Sequence, residues 1–104
     1  SGLNGDVGRF AYSATKAAII NTVKTLSKEL SNYNIRVNSV SPGLTETDLM
    51  LSNTKTEIIK SEIEKISLKR VAKPNEISSM ILFLSSEKSS YINGQNIIVD
   101  GGYL

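Results

Sequence analysis

Histidine and cysteine are both missing from the 104 residues. Their absence excludes Cys/His zinc centres, Ser-His triads, cysteine nucleophiles and disulfides within the chain. Any proton transfer must fall to Tyr, Lys, Asp, Glu or a hydroxyl, and no metal site is expected. An excess of either charge is also missing: 12 Lys and Arg stand against 10 Asp and Glu, a formal net charge of +2. Without a dense basic run, that balance argues against a nucleic-acid surface. Long hydrophobic runs are absent too. The longest, Met80 to Leu84, has five residues, far short of a membrane span. No signal-peptide pattern is visible.

The residues present describe a globular composition. Apolar residues make up 39% and charged residues 21%, with a mean hydropathy of −0.11. The length allows one domain at most.

Residues 1–10 read as a loop, with Gly2, Gly5 and Gly8 at three-residue intervals and Asn4 and Asp6 between them. This G-x-x-G-x-x-G spacing lacks the preceding strand and the G-x-G step of a dinucleotide fingerprint, so it reads as a connection. From Ala11 to Ser31 the pattern is helical: Ala11, Ala14, Ala18, Val23, Leu26 and Leu30 recur at mostly three- and four-residue steps. The small Ala14, Ala17 and Ala18 would let another backbone approach. Ile35 to Ser41 reads as a strand, ended by Pro42-Gly43. Residues 44–56 read as a polar loop with a short helical turn. Glu57 to Ile66 reads as a helix with Ile59, Ile63 and Ile66 on one face. A further helix starts at Lys73-Pro74-Asn75-Glu76, where Pro is tolerated in the first turn, and carries the stripe Ile77, Met80, Ile81, Leu84. Asn96 to Val99 reads as a strand buried on both faces, closed by Asp100-Gly101-Gly102.

The predicted order is helix-strand-helix-helix-strand. Two strands joined through helices describe a parallel βαβ crossover, and two such strands need further cover. The fold class is therefore α/β, one end of a larger parallel sheet.

Three segments could carry chemistry. Tyr12 and Lys16 stand four residues apart, on one face of the predicted helix. A neighbouring ammonium stabilises a phenolate and lowers the Tyr pKa from about 10, which makes a workable proton donor to a carbonyl oxygen. Spacing alone is weak: four Tyr and nine Lys supply about a third of such a pair by chance, and on spacing alone an ordinary surface Tyr and Lys is the better reading. Pro42-Gly43-Leu44-Thr45-Glu46-Thr47 lies at the carboxyl end of a strand, where open parallel sheets bind ligands; a plain strand-ending turn is the alternative. Gly94 to Gly102, taken alone, is a strand between two turns.

Together, in this order, these segments resemble the C-terminal part of a short-chain dehydrogenase/reductase. The matching pieces are Tyr12-Ser13-Ala14-Thr15-Lys16-Ala17-Ala18, Ile35-Arg36-Val37-Asn38-Ser39-Val40-Ser41-Pro42-Gly43, Arg70-Val71-Ala72-Lys73-Pro74-Asn75-Glu76-Ile77, and Gly94 to Gly102. The likeness covers nearly the whole chain and is similar to the subfamily of 3-oxoacyl-(acyl-carrier-protein) reductases. It implies the C-terminal portion of a Rossmann-like doubly wound parallel sheet, with residues 1–104 as the C-terminal half of a single domain and the N-terminal cofactor-binding half absent. It implies a hydride transfer between NAD or NADP and a carbonyl or alcohol. Tyr12 matches the family's acid/base. Lys16 matches the residue that lowers the Tyr pKa and hydrogen-bonds the nicotinamide ribose. Pro42 and Gly43 match the turn beside the nicotinamide, and Thr45 and Thr47 occupy the next cofactor-contact positions.

Two positions depart from the family. Thr45 stands where Ile or Val is usual, and Ala72 where Gly is frequent. The family's catalytic Ser, its glycine-rich loop and its catalytic Asn fall upstream, and Ser1 is not that Ser. The resemblance further implies a small carbonyl, alcohol or acyl-thioester substrate, a cytoplasmic enzyme, a homodimer or homotetramer, and an inactive isolated fragment. A non-catalytic dinucleotide-sensing or oligomerisation domain is the alternative, against which the intact Tyr12/Lys16 pair argues. An independent interaction domain would require orphaned strands to fold alone.

Overall fold

The computed structural model describes residues 2–47 and 55–103, with the side chains of α1 described from Ser13 onward. The order of elements is α1 (Gly2–Leu30), β1 (Ser39–Pro42), α2 (Thr56–Glu64), α3 (Pro74–Leu84) and β2 (Asn96–Val99). This is the predicted helix-strand-helix-helix-strand series. Ser1, and with it the reading that Ser1 is not the family's Ser, lies outside the described residues, as does most of the loop expected over 44–56. At the start of that loop, Glu46 and Thr47 are helical.

The chain divides into two compact units. The first holds Ser1–Ser39 and Tyr91–Asn96; the second holds Val40–Ser90 and Ile97–Leu104.

In the first unit, α1 begins at Gly2, not near residue 11. Each Gly costs a helix about 1 kcal/mol relative to Ala, but extending a formed helix needs no new nucleus. The loop reading of residues 1–10 therefore fails. Among the described side chains of the helix, Val23 is the buried hydrophobic residue, and Ser27, one turn on, is buried with it. Ser27 Oγ satisfies itself by donating to Lys24 O at 2.7 Å. Ala14, Ala17, Ala18 and Leu26 are exposed, so only part of the predicted stripe is covered. Lys28 in the last turn complements the helix dipole. A 3-10 turn, Ser31–Tyr33, ends the element, and Asn34 reverses the chain with φ 61°. Asn tolerates this left-handed conformation better than most residues.

Segment 35–38 was expected to be strand but is not. Its backbone is satisfied by a loop instead: Val37 N–H donates to Asn93 Oδ1 at 3.0 Å, and Val37 C=O accepts from Gly94 N–H at 2.8 Å. Asn38 lends both ends of its amide, donating to Ile92 O and accepting from Gln95 N–H, each at 3.0 Å. Asn93 in turn donates to Ser27 O at 3.4 Å. Gly94 is buried with φ +73°, and a Cβ there would lie 2.6 Å from Ser27 Oγ. Glycine is required on both counts.

β1 and β2 form a two-stranded sheet. Ser39 N–H donates to Gln95 O and Gly43 N–H to Val99 O, each at 2.9 Å. The partner advances with the donor, which is parallel register. β2 has the predicted bounds, but Ile98 is 62% exposed, so burial on both faces is not met within the described residues.

In the second unit, α2 ends at Glu64, two residues before the predicted stop, and Ile66 leaves the helix to pair with Tyr103 in an antiparallel bridge. Ile66 is 2% exposed, the most buried hydrophobic side chain described. Ser67 N–H and Leu68 N–H donate to the carbonyls of Gly102 and Gly101 at 2.9 and 3.1 Å. Both glycines have positive φ, +65° at Gly101 and +79° at Gly102, which turns the chain after β2 back along residues 66–68. α3 opens with Pro74 in its first turn, as predicted.

Candidate active site

The six residues expected to carry function fall on two units. Tyr12 and Lys16 belong to the first; Pro42, Gly43, Thr45 and Thr47 belong to the second.

Tyr12 and Lys16 lie within the unbroken helix α1, four positions apart. A helix advances about 1.5 Å per residue and turns once in about 3.6, so the two positions share a face one turn apart. Lys16 is half-buried while its helical neighbours Thr15 and Ala17 are exposed.

In the second unit, Pro42 closes β1, where a missing N–H does no harm at the end of a ladder. Gly43 continues the ladder with its bond to Val99 and packs directly on the chain beyond β2: a Cβ at residue 43 would sit 2.8 Å from Asp100 Cβ and 2.9 Å from Asp100 Cα. Its φ is not in the left-handed region, so close approach, not backbone conformation, requires glycine here. Asp100 Oδ1 itself accepts from Gly102 N–H at 2.9 Å, which fixes the turn after β2.

Past Gly43 the segment is held by a residue of the 70–73 turn. Thr45 pairs with Ala72 in a parallel bridge. Ala72 N–H donates to Leu44 O, and Glu46 N–H donates to Ala72 O, both at 2.9 Å. In such a bridge the middle residue, Thr45, turns its own N–H and C=O to the opposite edge. Thr45 is half-buried and Thr47 exposed. Ala72, expected to matter only structurally, is the residue on which this segment is registered.

An ion pair that sequence reasoning left without a role stands over that turn. Arg70 donates from Nη1 to Glu76 Oε1 at 2.7 Å and from Nη2 to Glu76 Oε2 at 2.9 Å. Glu76 Oε1 also accepts from Lys73 N–H at 3.0 Å, so the carboxylate caps the start of α3. The hydrogen bonds from Arg70, then that from the Lys73 backbone, hold the Glu76 carboxyl down at about 2 from 4.5, and the same pair raises the Arg70 pKa.

Lys16 in the first unit and, separately, Thr45 and Thr47 in the second each carry a group of the kind that can hydrogen-bond a dinucleotide. Among the described residues no group of His, Cys, Asp and Glu could hold a metal ion, and no helix is long and apolar enough to cross a membrane.

A family model described as enoyl-(acyl carrier protein) reductase matches residues 4–104. The chain is 44% identical over 101 residues to a 3-oxoacyl-(acyl-carrier-protein) reductase of Thermotoga maritima, covering 97% of this chain and 41% of that protein. Among solved structures it is similar to a 3-oxoacyl-(acyl-carrier protein) reductase from Brucella melitensis, with a TM-score of 0.82, 37% identity and coverage of 88% of this chain and 34% of that one. A second reductase structure from the same organism, with bound NAD, matches at TM-score 0.76 and 36% identity over 88% of this chain and 32% of that one. The chain thus spans about 40% of the length of the curated relatives it matches.

Proposed function

The chain belongs to the short-chain dehydrogenase/reductase family, and from that premise we propose that the protein containing it is an NAD(P)-dependent oxidoreductase acting on a carbonyl group, with a 3-oxoacyl thioester as substrate class. Residues 1–104 then form the C-terminal half of one Rossmann-like domain, and the cofactor-binding N-terminal half lies outside them.

The observation that carries the reading is Tyr12 and Lys16 one turn apart on a single continuous helix. When bound, the nicotinamide supplies the hydride that adds to the substrate carbonyl carbon. Tyr12 gives its phenolic proton to the carbonyl oxygen as negative charge builds there, so the alcohol forms and a phenolate remains. Lys16 stabilises that phenolate electrostatically and donates to the nicotinamide ribose. Solvent returns the proton to Tyr12. Pro42, Gly43, Thr45 and Thr47 bind the cofactor at the carboxyl end of β1, where ligands sit in open parallel sheets.

Assembly as a homodimer or homotetramer belongs to the same reading, as does a cytoplasmic setting.

The test is a reductase assay on the full-length protein with a 3-oxoacyl thioester, following loss of NADH or NADPH absorbance. Turnover with either cofactor supports the reading. A folded, pure protein that binds neither cofactor sinks it.

A further inference from the structure

The Arg70–Glu76 pair sits at the surface, where an isolated ion pair contributes little to stability. Its placement gives it another use. Arg70, Lys73 and Glu76 bracket Ala72, and all three are tied together: the guanidinium grips both carboxylate oxygens, and one of those oxygens also takes the Lys73 N–H. The fork geometry fixes angle as well as distance, which a single point contact would not. The turn 70–73 is thereby held in one shape at both ends. Ala72, inside that shape, uses its N–H on Leu44 and its C=O on Glu46. Ala72 registers segment 44–46, and the ion pair sets the shape of the turn that places Ala72.

We propose that Arg70 and Glu76 are positioning residues for cofactor binding, clamping the 70–73 turn so that Ala72 presents Thr45 and Thr47 in a fixed register to NAD(P). This rests on the reading that segment 42–47 contacts the cofactor. Neither residue touches the reacting atoms. The clamp acts through backbone alone: from carboxylate to turn, from turn to Ala72, from Ala72 to residues 44 and 46. The low Glu76 pKa keeps the carboxylate charged, and the clamp closed, throughout the neutral range.

The clamp bears on the cofactor and not on the other substrate. Loosening the turn costs cofactor affinity, because the displaced groups are the proposed cofactor contacts. It leaves the Tyr12 proton step intact once cofactor is saturating.

The experiment uses the full-length protein with NADH, NADPH and a short 3-oxoacyl thioester. Arg70→Met, Glu76→Gln, the double variant and Arg70→Lys are compared with the unaltered protein for KM of each substrate, kcat and Tm. The expected result is a cofactor KM raised roughly tenfold in each single variant, with thioester KM and saturating kcat within about twofold. The double variant should be no worse than either single one, since both remove the same contact. Arg70→Lys should recover part of the cofactor affinity, because it keeps the charge and loses the fork. If Arg70→Met does not fold, Glu76→Gln and Arg70→Lys carry the same comparison. A folded variant with unchanged cofactor KM overturns the proposal. So does a fall in kcat and a rise in both KM values that simply follow Tm, the mark of a merely structural pair. Failure of the unaltered protein to bind NADH or NADPH is a different result, and removes the functional reading first.

Discussion

Asp100 occupies the space that any side chain at residue 43 would need: the Cβ of a residue replacing Gly43 would lie 2.8 Å from Asp100 Cβ. β1 can run this close to the turn after β2 only because Gly43 presents a bare backbone, which also donates its N–H to Val99 O at 2.9 Å.

Gly43→Ala should therefore push the end of β1 away from Asp100. Atoms at that distance must move, and here the obstacle is a Cβ and a Cα, which cannot swing aside. Overpacking of this kind costs about 1–3 kcal/mol. A lowered Tm in the full-length protein, with cofactor affinity reduced in parallel, is the expected outcome; an unchanged Tm would show that the two strand ends separate freely.

Tyr12→Phe removes the proposed proton donor and keeps the ring. Turnover in the full-length enzyme should fall by about 10²–10⁴-fold while cofactor binding changes little. Lys16→Met should lower turnover and cofactor affinity together, and shift the residual pH optimum upward, because the phenolate has lost its cation. Near-normal turnover in the Phe variant would remove Tyr12 from the mechanism.

Acid should reveal Glu76. Its carboxyl titrates at about 2 in the folded chain against an ordinary value of 4.5, chiefly because it accepts the Arg70 hydrogen bonds. The folded state therefore holds the proton less tightly than the unfolded one, and the stabilisation is complete above about 4.5 and lost as pH falls towards 2. Urea midpoints of the unaltered protein and Glu76→Gln should differ by a constant amount at neutral pH and converge below pH 4.5. A difference that stays constant throughout acid would contradict this.

The isolated 104-residue chain should not behave as a stable monomer. Among the described residues only Val23 and Ile66 are buried hydrophobics, whereas Ile19, Ile58, Leu68, Leu82 and Ile98 are each more than half exposed. Each CH₂ left in water forgoes about 0.8 kcal/mol, against a total stability of about 5–15 kcal/mol for an ordinary domain. Aggregation or self-association in sedimentation, and no reductase activity, are expected. A sharp cooperative melt of a monomer would contradict this.

Local patterns were readable where backbone and side chains agree. β2 at Asn96–Val99 and α3 from Pro74 follow from an apolar run and a first-turn proline. Residues 2–10 misled because glycine spacing reports propensity, and a formed helix can extend through weak formers. The strand expected from Ile35 is short because Asn38 and Asn93 take over its hydrogen bonding, and such side-chain pairing across more than fifty residues leaves no periodic trace. The proposed site positions rest on a resemblance between motifs. The Arg70–Glu76 pair was not legible: the two residues meet only because the turn between them folds, and a spacing of six is not the i, i+3 or i, i+4 step that places neighbours on a helix face.

The parallel pairing of Ser39 with Gln95 has a consequence for the timing of synthesis. When residue 39 is added to the growing chain, its partner is still 56 residues from being made. At about 5–20 residues per second, β1 stands unpaired on that side for several seconds. α1 needs only local bonds and can be complete throughout that wait. The sheet therefore closes only after residues 94–99 have been made and thread back against a strand already present. A nascent-chain trap placed before residue 95 should show a helical signal and a protease-sensitive β1 in the same molecule.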